Sequence, residues 1–362
     1  MRCRAELLIS TFILLYFYIV VFFEKFPLKD SKWNAEGVHT RTHRTSKDAY
    51  YFFTSSLTSS ASASLCMQPD IAAPGVNILA AWSPKSPPSL LPPLDARSVN
   101  WNFQSGTSMA CPHVSGIVAL LKSAHPDWSP AAIKSALMTT GIDNKICILR
   151  VISPQNLTPK FQFPAITVDT TADSIVAGGT LKPADPFDIG AGHVNPLKAI
   201  DPGLVYDMDT QDYIFFLCSI GFNRAQITKM VQPSPTMDTS CAGFYSDLDL
   251  NYPAIVISDL RATVTVTRTV RNVGQGGALY FASMVSPHGV HVRVSPHVLV
   301  FFERGEKISY EITVSPWKWS RGRYDFGEIV WFDGYHRVRI PVAVSVNSAV
   351  GGDGASIARS TV

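Results

Sequence analysis

Charged side chains are sparse in this 362-residue chain: 16% of its residues are charged, and 31 basic against 28 acidic residues leave a formal net charge of +3. The sequence has no long basic run of the kind that a nucleic-acid groove needs, which excludes nucleic acid as a partner. Six cysteines are too few for a disulfide scaffold but allow one or two bridges in an oxidising compartment. With 46% hydrophobic residues, the composition excludes a disordered, collagen-like or coiled-coil chain and indicates two compact domains.

The N-terminus resembles an export sequence. Arg2 and Arg4 precede an apolar run over residues 7–23, a charge order that holds the positive residues on the cytosolic side. The run is longer than a typical signal-peptide core of about 7–15 residues and reaches only the lower end of a membrane span, about 17–25 residues. Residues 1–23 are therefore predicted to be a cleaved signal peptide or a retained membrane anchor. A cleaved signal peptide predicts a secreted protein, in the extracellular space or cell wall. A retained anchor predicts a membrane-anchored protein with most of its chain outside the cytosol.

The next stretches differ in character. Residues 24–66 contain a basic, histidine-containing part and a tract of small residues without apolar periodicity, and they are assigned as a linker or an unplaced segment. Residues 69–82 (PDIAAPGVNILAAW) are apolar and broken by Pro74 and Gly75, which indicates a buried strand and a turn. The proline-rich residues 83–94 predict a surface loop.

A pair of helices forms the most informative pattern. Gly106 permits a tight turn, and Ser108 follows at the mouth of a helix whose apolar residues occur on nearly every side, which predicts a buried helix. Backbone N–H groups are unpaired at a helix start, and the helix dipole is positive there, so an oxyanion forming at Ser108 has donors available. The second helix has Ser129 as its N-cap, Pro130 in its first turn and Gly141 at its end.

A serine at a helix start is usually only a cap, but the surrounding string indicates more. GTSMACPHVSG at 106–116, with PDIAAPGVNILAAW upstream and SAHPDWSPAAIKSALMTT downstream, closely resembles the nucleophile region of the plant subtilisin-like serine proteases. The resemblance implies that Ser108 is the catalytic nucleophile, with its own backbone N–H as one oxyanion donor. It also implies hydrolysis of protein or peptide substrates through an acyl-serine intermediate, without a metal in the chemistry and without a cofactor.

The same resemblance resumes at residues 182–223, which look like the end of the plant subtilase catalytic domain. In that family the motif around His193 is a structural turn, so His193 is expected to be packed or hydrogen-bonded and not a base. Cys218 and Cys241 bracket a loop, and the family often has cysteines at similar places, which favours a disulfide between them. Cys111 is expected to pack as a small hydrophobic residue.

From about Asp247 the pattern changes to short strands with period-2 alternation, separated by Gly and Pro, which indicates an antiparallel sandwich. The alternating segments are 263–273, 290–296, 307–314, 328–333 and 336–346. Asp333-Gly334 is a candidate tight hairpin. The strings LNYPAI and TRTVRNVG are similar to the fibronectin-III-like C-terminal domain of plant subtilases, so residues 247–346 are assigned to such a domain and residues 347–362 to a tail.

The chain departs from the family pattern in one segment. Residues 142–166 have no recognisable counterpart and are interpreted as an insertion or as the product of a mispredicted exon. They contain a glycosylation sequon at Asn156, which is usable only if it is exposed in the secretory pathway.

The second departure is an absence. A subtilisin-like protease needs a His base and an Asp that orients it, and the family supplies them in D-T-G and G-H-G-T-H strings, with an oxyanion Asn in S-x-G-N. None of these strings occurs here. His39 and His43 precede Ser108 without the glycine turns of the family motif and are interpreted as surface residues. His113 lies about 140° around the helix from Ser108 and roughly 7.5 Å along it, so the two cannot pair on one continuous helix.

These observations predict a partial α/β subtilisin-type layer, a parallel sheet with helices, followed by an all-β fibronectin-III-like sandwich. Residues 67–232 are assigned as the C-terminal part of the catalytic domain. By resemblance the function is that of a serine endopeptidase, but the chain as written is expected to be inactive alone because the Asp and His segments are missing. The alternative is a non-catalytic interaction protein, secreted or membrane-anchored, that uses the sandwich.

Overall fold

The computed structural model describes residues 67–91, 94–141, 183–231, 237–243 and 246–347. Within these residues no helix is both long enough and apolar enough to cross a membrane. The predictions for residues 1–23, 24–66 and 142–166 fall outside the described residues, as do those for His39, His43 and Asn156.

The first part of the described chain, residues 67–231, is a mainly helical layer. Its elements are β1 (Ile78–Ala81), β2 (Trp101–Gln104), α1 (Thr107–Ala124), α2 (Pro130–Thr139), α3 (Pro186–Ile189), α4 (Pro196–Ala199), β3 (Leu204–Val205), α5 (Thr210–Ser219) and α6 (Arg224–Met230). β1 and β2 pair antiparallel, and parallel pairing in the described part of this layer is limited to a single bridge between Ala72 and His193. Pro69–Ala73 are largely buried, whereas β1 after the Pro74 turn is mostly exposed.

Helix α2 begins at the residues that the sequence predicts. The Ser129 hydroxyl accepts a hydrogen bond from the Ala132 N–H at 2.9 Å, Pro130 occupies the first turn, and nearly all of the helix is buried. The C-cap is Thr140, and Gly141 has a different role from the one predicted. A Cβ on Gly141 would lie 2.7 Å from the Ala191 carbonyl oxygen, so this position is small because another segment of backbone approaches it closely.

Helix α1 is not the buried helix that its apolar composition predicts. Only Ala110, Val118 and Leu121 are buried, and Leu120 is 66% exposed. A helix that is apolar all round needs packing partners all round, and the described residues cover α1 on one side only. The apolar composition of α1 therefore predicts a helix that is packed on all sides. The described part of the chain supplies only some of that packing.

The second part, residues 246–347, is a β-sandwich. Its strands are β4 (Ile255–Leu260), β5 (Val264–Asn272), β6 (Ala278–Val285), β7 (Val290–Ser295), β8 (Val298–Phe301), β9 (Lys307–Pro316), β10 (Asp325–Phe332) and β11 (Arg337–Val346). One sheet has the order β4-β11-β10-β6-β8, and the other has the order β3-β5-β9-β7. All pairs are antiparallel except β4 with β11. The predicted fold class, an α/β layer followed by a sandwich, is confirmed.

Every alternating segment of the sequence contains a strand, but strands β3, β4, β6 and β8 were not foreseen. β4 is buried over most of its length and lacks alternation, and β3 and β8 are only two and four residues long. The hairpin at Asp333-Gly334 is also wider than predicted. Phe332 pairs with Arg337, and the Asp333 carboxylate accepts hydrogen bonds from the N–H groups of Tyr335 and His336, which closes a four-residue loop.

The layer and the sandwich share strands and core. β3 belongs to the layer in sequence but pairs with β5 of the sandwich, and the Tyr206 hydroxyl lies 2.6 Å from that of Tyr310 in the buried centre. The Arg339 guanidinium, almost fully buried, donates to Glu328 Oε2 at 2.5 Å and to the Ala191 carbonyl at 3.0 Å. These contacts fix the layer on the sandwich.

Candidate active site around Ser108

A glycine turn places Ser108 in the first turn of α1. Gly106 has φ +153°, a backbone conformation that side chains disfavour, and its N–H donates to the Gly75 carbonyl at 2.7 Å. The carbonyl of Gly106 then accepts from Met109 and Ala110 N–H, at 3.0 and 3.3 Å. Ser108 is exposed, and its hydroxyl and N–H have no hydrogen-bond partner among the described residues. The serine therefore stands at the positive end of the helix with a donor free to meet an oxyanion.

The β1–β2 pair supports this turn. Ile78 pairs with Gln104 next to the turn, and the Asn77 N–H donates to the Ser105 hydroxyl at 2.8 Å. The pair also presents large apolar side chains to solvent, with Leu79, Trp101 and Phe103 each more than half exposed. Because Leu79 pairs with Phe103, these side chains lie on one face of the pair.

The histidines nearest in sequence are each held against a backbone carbonyl. His113 Nδ1 lies 2.7 Å from the Met109 carbonyl of its own helix. His125 Nε2 lies 2.7 Å from the Ile200 carbonyl, and its ring stacks on Trp128 with centroids 3.9 Å apart. His193 is 4% exposed, with Nδ1 3.0 Å from the Val194 carbonyl. No histidine of the described residues is hydrogen-bonded to Ser108.

The aspartates that precede Ser108 in the described residues have other partners. Asp70 forms an ion pair with Lys134, N to O 2.9 Å, and accepts a hydrogen bond from the Tyr252 hydroxyl across the contact between layer and sandwich. Asp95 pairs with Arg97 through two hydrogen bonds of 2.7 and 2.8 Å, and these hold the pKa of Asp95 far below its ordinary value of 3.8. Neither carboxylate is hydrogen-bonded to a histidine, so among the described residues Ser108 has a free backbone N–H beside it but no histidine or carboxylate in contact with its hydroxyl.

Other site residues from the sequence fall elsewhere. Cys218 and Cys241 are bonded to each other, with their Cα atoms 5.4 Å apart, and tie the end of α5 to residues 237–243. Cys111 is a free, half-buried thiol within α1. The described residues contain no group of three or more His, Cys, Asp or Glu side chains that could hold a metal ion.

Two family models match the chain. Residues 34–168 match the subtilase family, and residues 249–344 match a fibronectin type-III domain. The first match begins within residues 24–66 and continues through residues 142–166. The sequence patterns described above had assigned neither segment to the family. The solved E. coli chaperone DraB, by contrast, is only distantly similar, at 15% identity and a TM-score of 0.21 over 28% of this chain and 55% of that one.

Curated plant proteins match over most of the chain. Subtilisin-like protease SBT3.18 of Arabidopsis thaliana is 50% identical over 76% of this chain and 33% of its own length. Subtilisin-like serine-protease S of Lotus japonicus is 42% identical over 76% of the chain and 32% of its length, and Arabidopsis SBT1.7 is 44% identical over 77% and 34%. The chain carries a subtilase segment followed by a fibronectin type-III domain, and its resemblance to the plant subtilisin-like proteases is confirmed. It spans about a third of the length of the curated relatives it matches.

Proposed function

We propose that this chain is the nucleophile-bearing C-terminal part of a subtilisin-like serine endopeptidase, and that by itself it does not hydrolyse peptides. In the complete reaction the Ser108 Oγ attacks the peptide carbonyl and forms an acyl-serine, the leaving amine takes up the serine proton through a base, and water then hydrolyses the ester. The Ser108 N–H donates to the oxyanion of the tetrahedral intermediates. The substrates are proteins or peptides.

The observation that carries this proposal is the exposed Ser108 on the Gly106 turn, with its backbone N–H free, inside a segment that matches the subtilase family. A serine hydroxyl is a poor nucleophile at neutral pH unless a base lies within about 2.6–3.2 Å. His113 and His193 are engaged with backbone carbonyls, and the family's D-T-G and G-H-G-T-H strings do not occur in the sequence. We therefore expect Ser108 to be oriented as a nucleophile but not activated by a base.

The chain's location is part of the proposal. The charge order around residues 7–23 favours entry into the secretory pathway, with the protein either released to the extracellular space or cell wall or held at the membrane through that run. Expression in a secretory host with an Asn156→Gln control tests this location. A glycosidase-sensitive mass shift that disappears in the variant is expected. A C-terminal fluorescent fusion that stays diffuse in the cytosol contradicts it.

A second candidate function is a non-catalytic interaction protein built on the sandwich. It is favoured by one observation: the sandwich has a closed and fully buried core, whereas the site at Ser108 lacks a base among the described residues. Labelling by a fluorophosphonate probe separates the two candidates. The peptidase proposal expects slow labelling that Ser108→Ala abolishes, and the interaction protein expects none.

Turnover of casein by the purified full chain tests the lack of activity. Ser108→Ala is compared with Ser115→Ala, a matched control because Ser115 is another exposed serine of α1 and its hydroxyl donates to the Cys111 carbonyl. We expect no turnover above background in any of the three proteins. Turnover that is lost in Ser108→Ala and kept in Ser115→Ala would show that the chain contains a base.

A further inference from the structure

The outer face of the sheet β5-β9-β7 is unlike the rest of the sandwich surface. Along β9 the inward residues Tyr310, Ile312 and Val314 are buried, so the alternate residues point outward. The outward residues of the three strands are mostly small and hydroxyl-bearing: Thr263, Thr265, Thr267 and Thr269 beside β5 or within it, Ser309, Thr313 and Ser315 on β9, and Ser295 on β7. This hydroxyl-rich surface is called the outer face below.

Hydroxyl groups on neighbouring strands meet in pairs across the outer face. The pairs are Thr263 with Ser315 at 3.1 Å, Thr265 with Thr313 at 3.4 Å and Thr269 with Ser309 at 2.8 Å. Each hydroxyl has one donor and two acceptor positions, so a pair that forms one internal hydrogen bond keeps a donor and acceptors for an external group. A ligand that is itself rich in hydroxyls can therefore bind along these rows without leaving polar groups unpaired.

An aromatic ring stands at one end of the outer face. Trp317 follows β9 in the same outward row and is 46% exposed. Its ring stacks on His291 of β7 with centroids 5.8 Å apart and an angle of 28°, and it meets His288 edge-on at 6.0 Å. Its backbone N–H donates to the Gly289 carbonyl at 2.9 Å. Trp317 is thus a positioned aromatic surface, against which the C–H groups of a sugar ring can pack.

The charges near Trp317 are positive. Arg293 pairs with Thr313 across the strands, and Lys318 follows the tryptophan; both are exposed, and neither has a carboxylate within ion-pair distance among the described residues. The Lys318 ammonium donates to His288 Nε2 at 2.9 Å. In the outward rows of β5, β7 and β9, Glu311 is the only carboxylate. This imbalance selects a ligand that carries negative charge, and an arginine fork fits a carboxylate well.

We propose that the outer face around Trp317 binds an acidic polysaccharide, a chain of sugar rings that carry carboxylates. Trp317 packs against a ring, the paired hydroxyls of β5 and β9 bind ring hydroxyls, and Arg293 and Lys318 bind the carboxylates. The same positive charge would attract an anionic membrane, but the outward rows of β5, β7 and β9 offer few apolar side chains to insert into lipid. The proposal is independent of Ser108 and holds whether or not the chain hydrolyses peptides.

The test measures binding of the purified full chain to sodium polygalacturonate by titration calorimetry or sedimentation. Fully methyl-esterified polygalacturonate is the matched ligand, because it keeps the sugar backbone and removes the charge. Vesicles that contain phosphatidylserine form the third arm. We expect binding to the acid form that weakens as salt is raised, binding at least about tenfold weaker to the ester, and none to vesicles.

Variants locate the binding surface. Trp317→Ala is expected to weaken binding about tenfold, and Arg293→Gln with Lys318→Gln by a similar factor. Tyr335→Ala is the aromatic control, since Tyr335 is 78% exposed in the β10–β11 loop of the other sheet, and Lys307→Gln is the charge control at the far end of β9. Circular dichroism checks that each variant is folded, and the double charge variant carries the test if Trp317→Ala does not fold. Equal affinity for acid and ester, preference for vesicles, or equal losses in the control variants would overturn the proposal.

Discussion

The sandwich and the helical layer contain similar apolar residues but differ in how far they bury them. In the sandwich, Trp331 and Tyr310 meet edge to face with centroids 4.9 Å apart, and both are fully buried. In the layer, Trp101 and Leu120 are each more than 60% exposed. The difference does not lie in the amino-acid types. It lies in whether the described residues supply a second surface that covers the apolar side chains. The two sheets of the sandwich cover each other, whereas the layer is covered only where it contacts the sandwich.

Replacing one tryptophan in each region gives the sharpest contrast. Trp331→Ala is expected to lower the free energy of unfolding by about 3–5 kcal/mol, because it removes a buried ring and leaves a cavity. Trp101→Ala, at an exposed position, is expected to change it by less than about 0.5 kcal/mol. Urea unfolding of the two variants measures both values. Similar losses in the two variants would mean that Trp101 is covered in the protein and that the contrast between the regions is wrong.

The contact between the two regions can be broken at Arg339. Arg339→Ala removes the nearer of two arginine partners of the Glu328 carboxylate, which is 1% exposed, and a hydrogen bond to the Ala191 carbonyl. We expect a loss of about 3–5 kcal/mol, because the buried Glu328 charge loses its shorter and more deeply buried ion pair. Arg337→Ala is the matched control, since its contact with Glu328 is 3.4 Å and its side chain is 26% exposed. A loss as large in Arg337→Ala would show that Arg339 is not the main partner of Glu328.

The Cys218–Cys241 bond, which joins the layer to residues 237–243, is expected to be the strongest local constraint on this part of the chain. It joins residues 23 positions apart, and a bridge of that span contributes about 2–4 kcal/mol by restricting the unfolded chain. The double variant Cys218→Ala, Cys241→Ala should therefore lose that amount in urea unfolding under non-reducing conditions. Cys111→Ala, which removes a free thiol, should lose much less. Peptide mapping that finds both Cys218 and Cys241 as free thiols in the exported protein would disprove the pairing.

The smallest effect is a pH dependence at the second contact between the regions. His336 of the sandwich lies 2.6 Å from Asp333 and 3.1 Å from Asp201 of the layer. Partial burial lowers the pKa of His336, but its hydrogen bonds to Asp333 and Asp201 outweigh this and raise the pKa above its ordinary value of 6.5. Burial likewise raises the pKa of Asp333, and its bonds to His336 outweigh this and lower the pKa below 3.8.

The sign of this effect follows from the two shifts. A raised histidine pKa stabilises the fold fully below pH 6.5, and the contribution disappears as pH rises through the folded value. A lowered aspartate pKa stabilises the fold above pH 3.8, and that contribution disappears as pH falls through the folded value. The difference in unfolding free energy between the wild type and His336→Gln should therefore be largest between pH 3.8 and 6.5 and shrink at higher pH. A difference that stays constant from pH 5 to pH 8 would exclude this contact as a source of pH dependence.

Sequence patterns predicted the local features well because those features depend on neighbouring residues. The Ser129 cap and the strands of 307–314 and 336–346 follow from capping and period-2 alternation. The resemblance carried by residues 106–116 predicts that Ser108 is the nucleophile, which stays a prediction, and the structure shows Ser108 in the first turn of α1. Strand β4 escaped prediction because a continuous apolar run has no period that distinguishes a strand.

The sequence by itself determined the two-part architecture, the position of Ser108 at a helix start and the absence of the family's Asp and His strings. Only the tertiary structure decided the burial of α1, the reason for Gly141 and the partners of Asp70 and Arg339. These depend on atoms that lie far apart along the chain, such as the Ala191 carbonyl, which contacts both Gly141 and Arg339. The periodicity of a segment predicts which of its faces can be buried. The fold determines which other residues pack against that face.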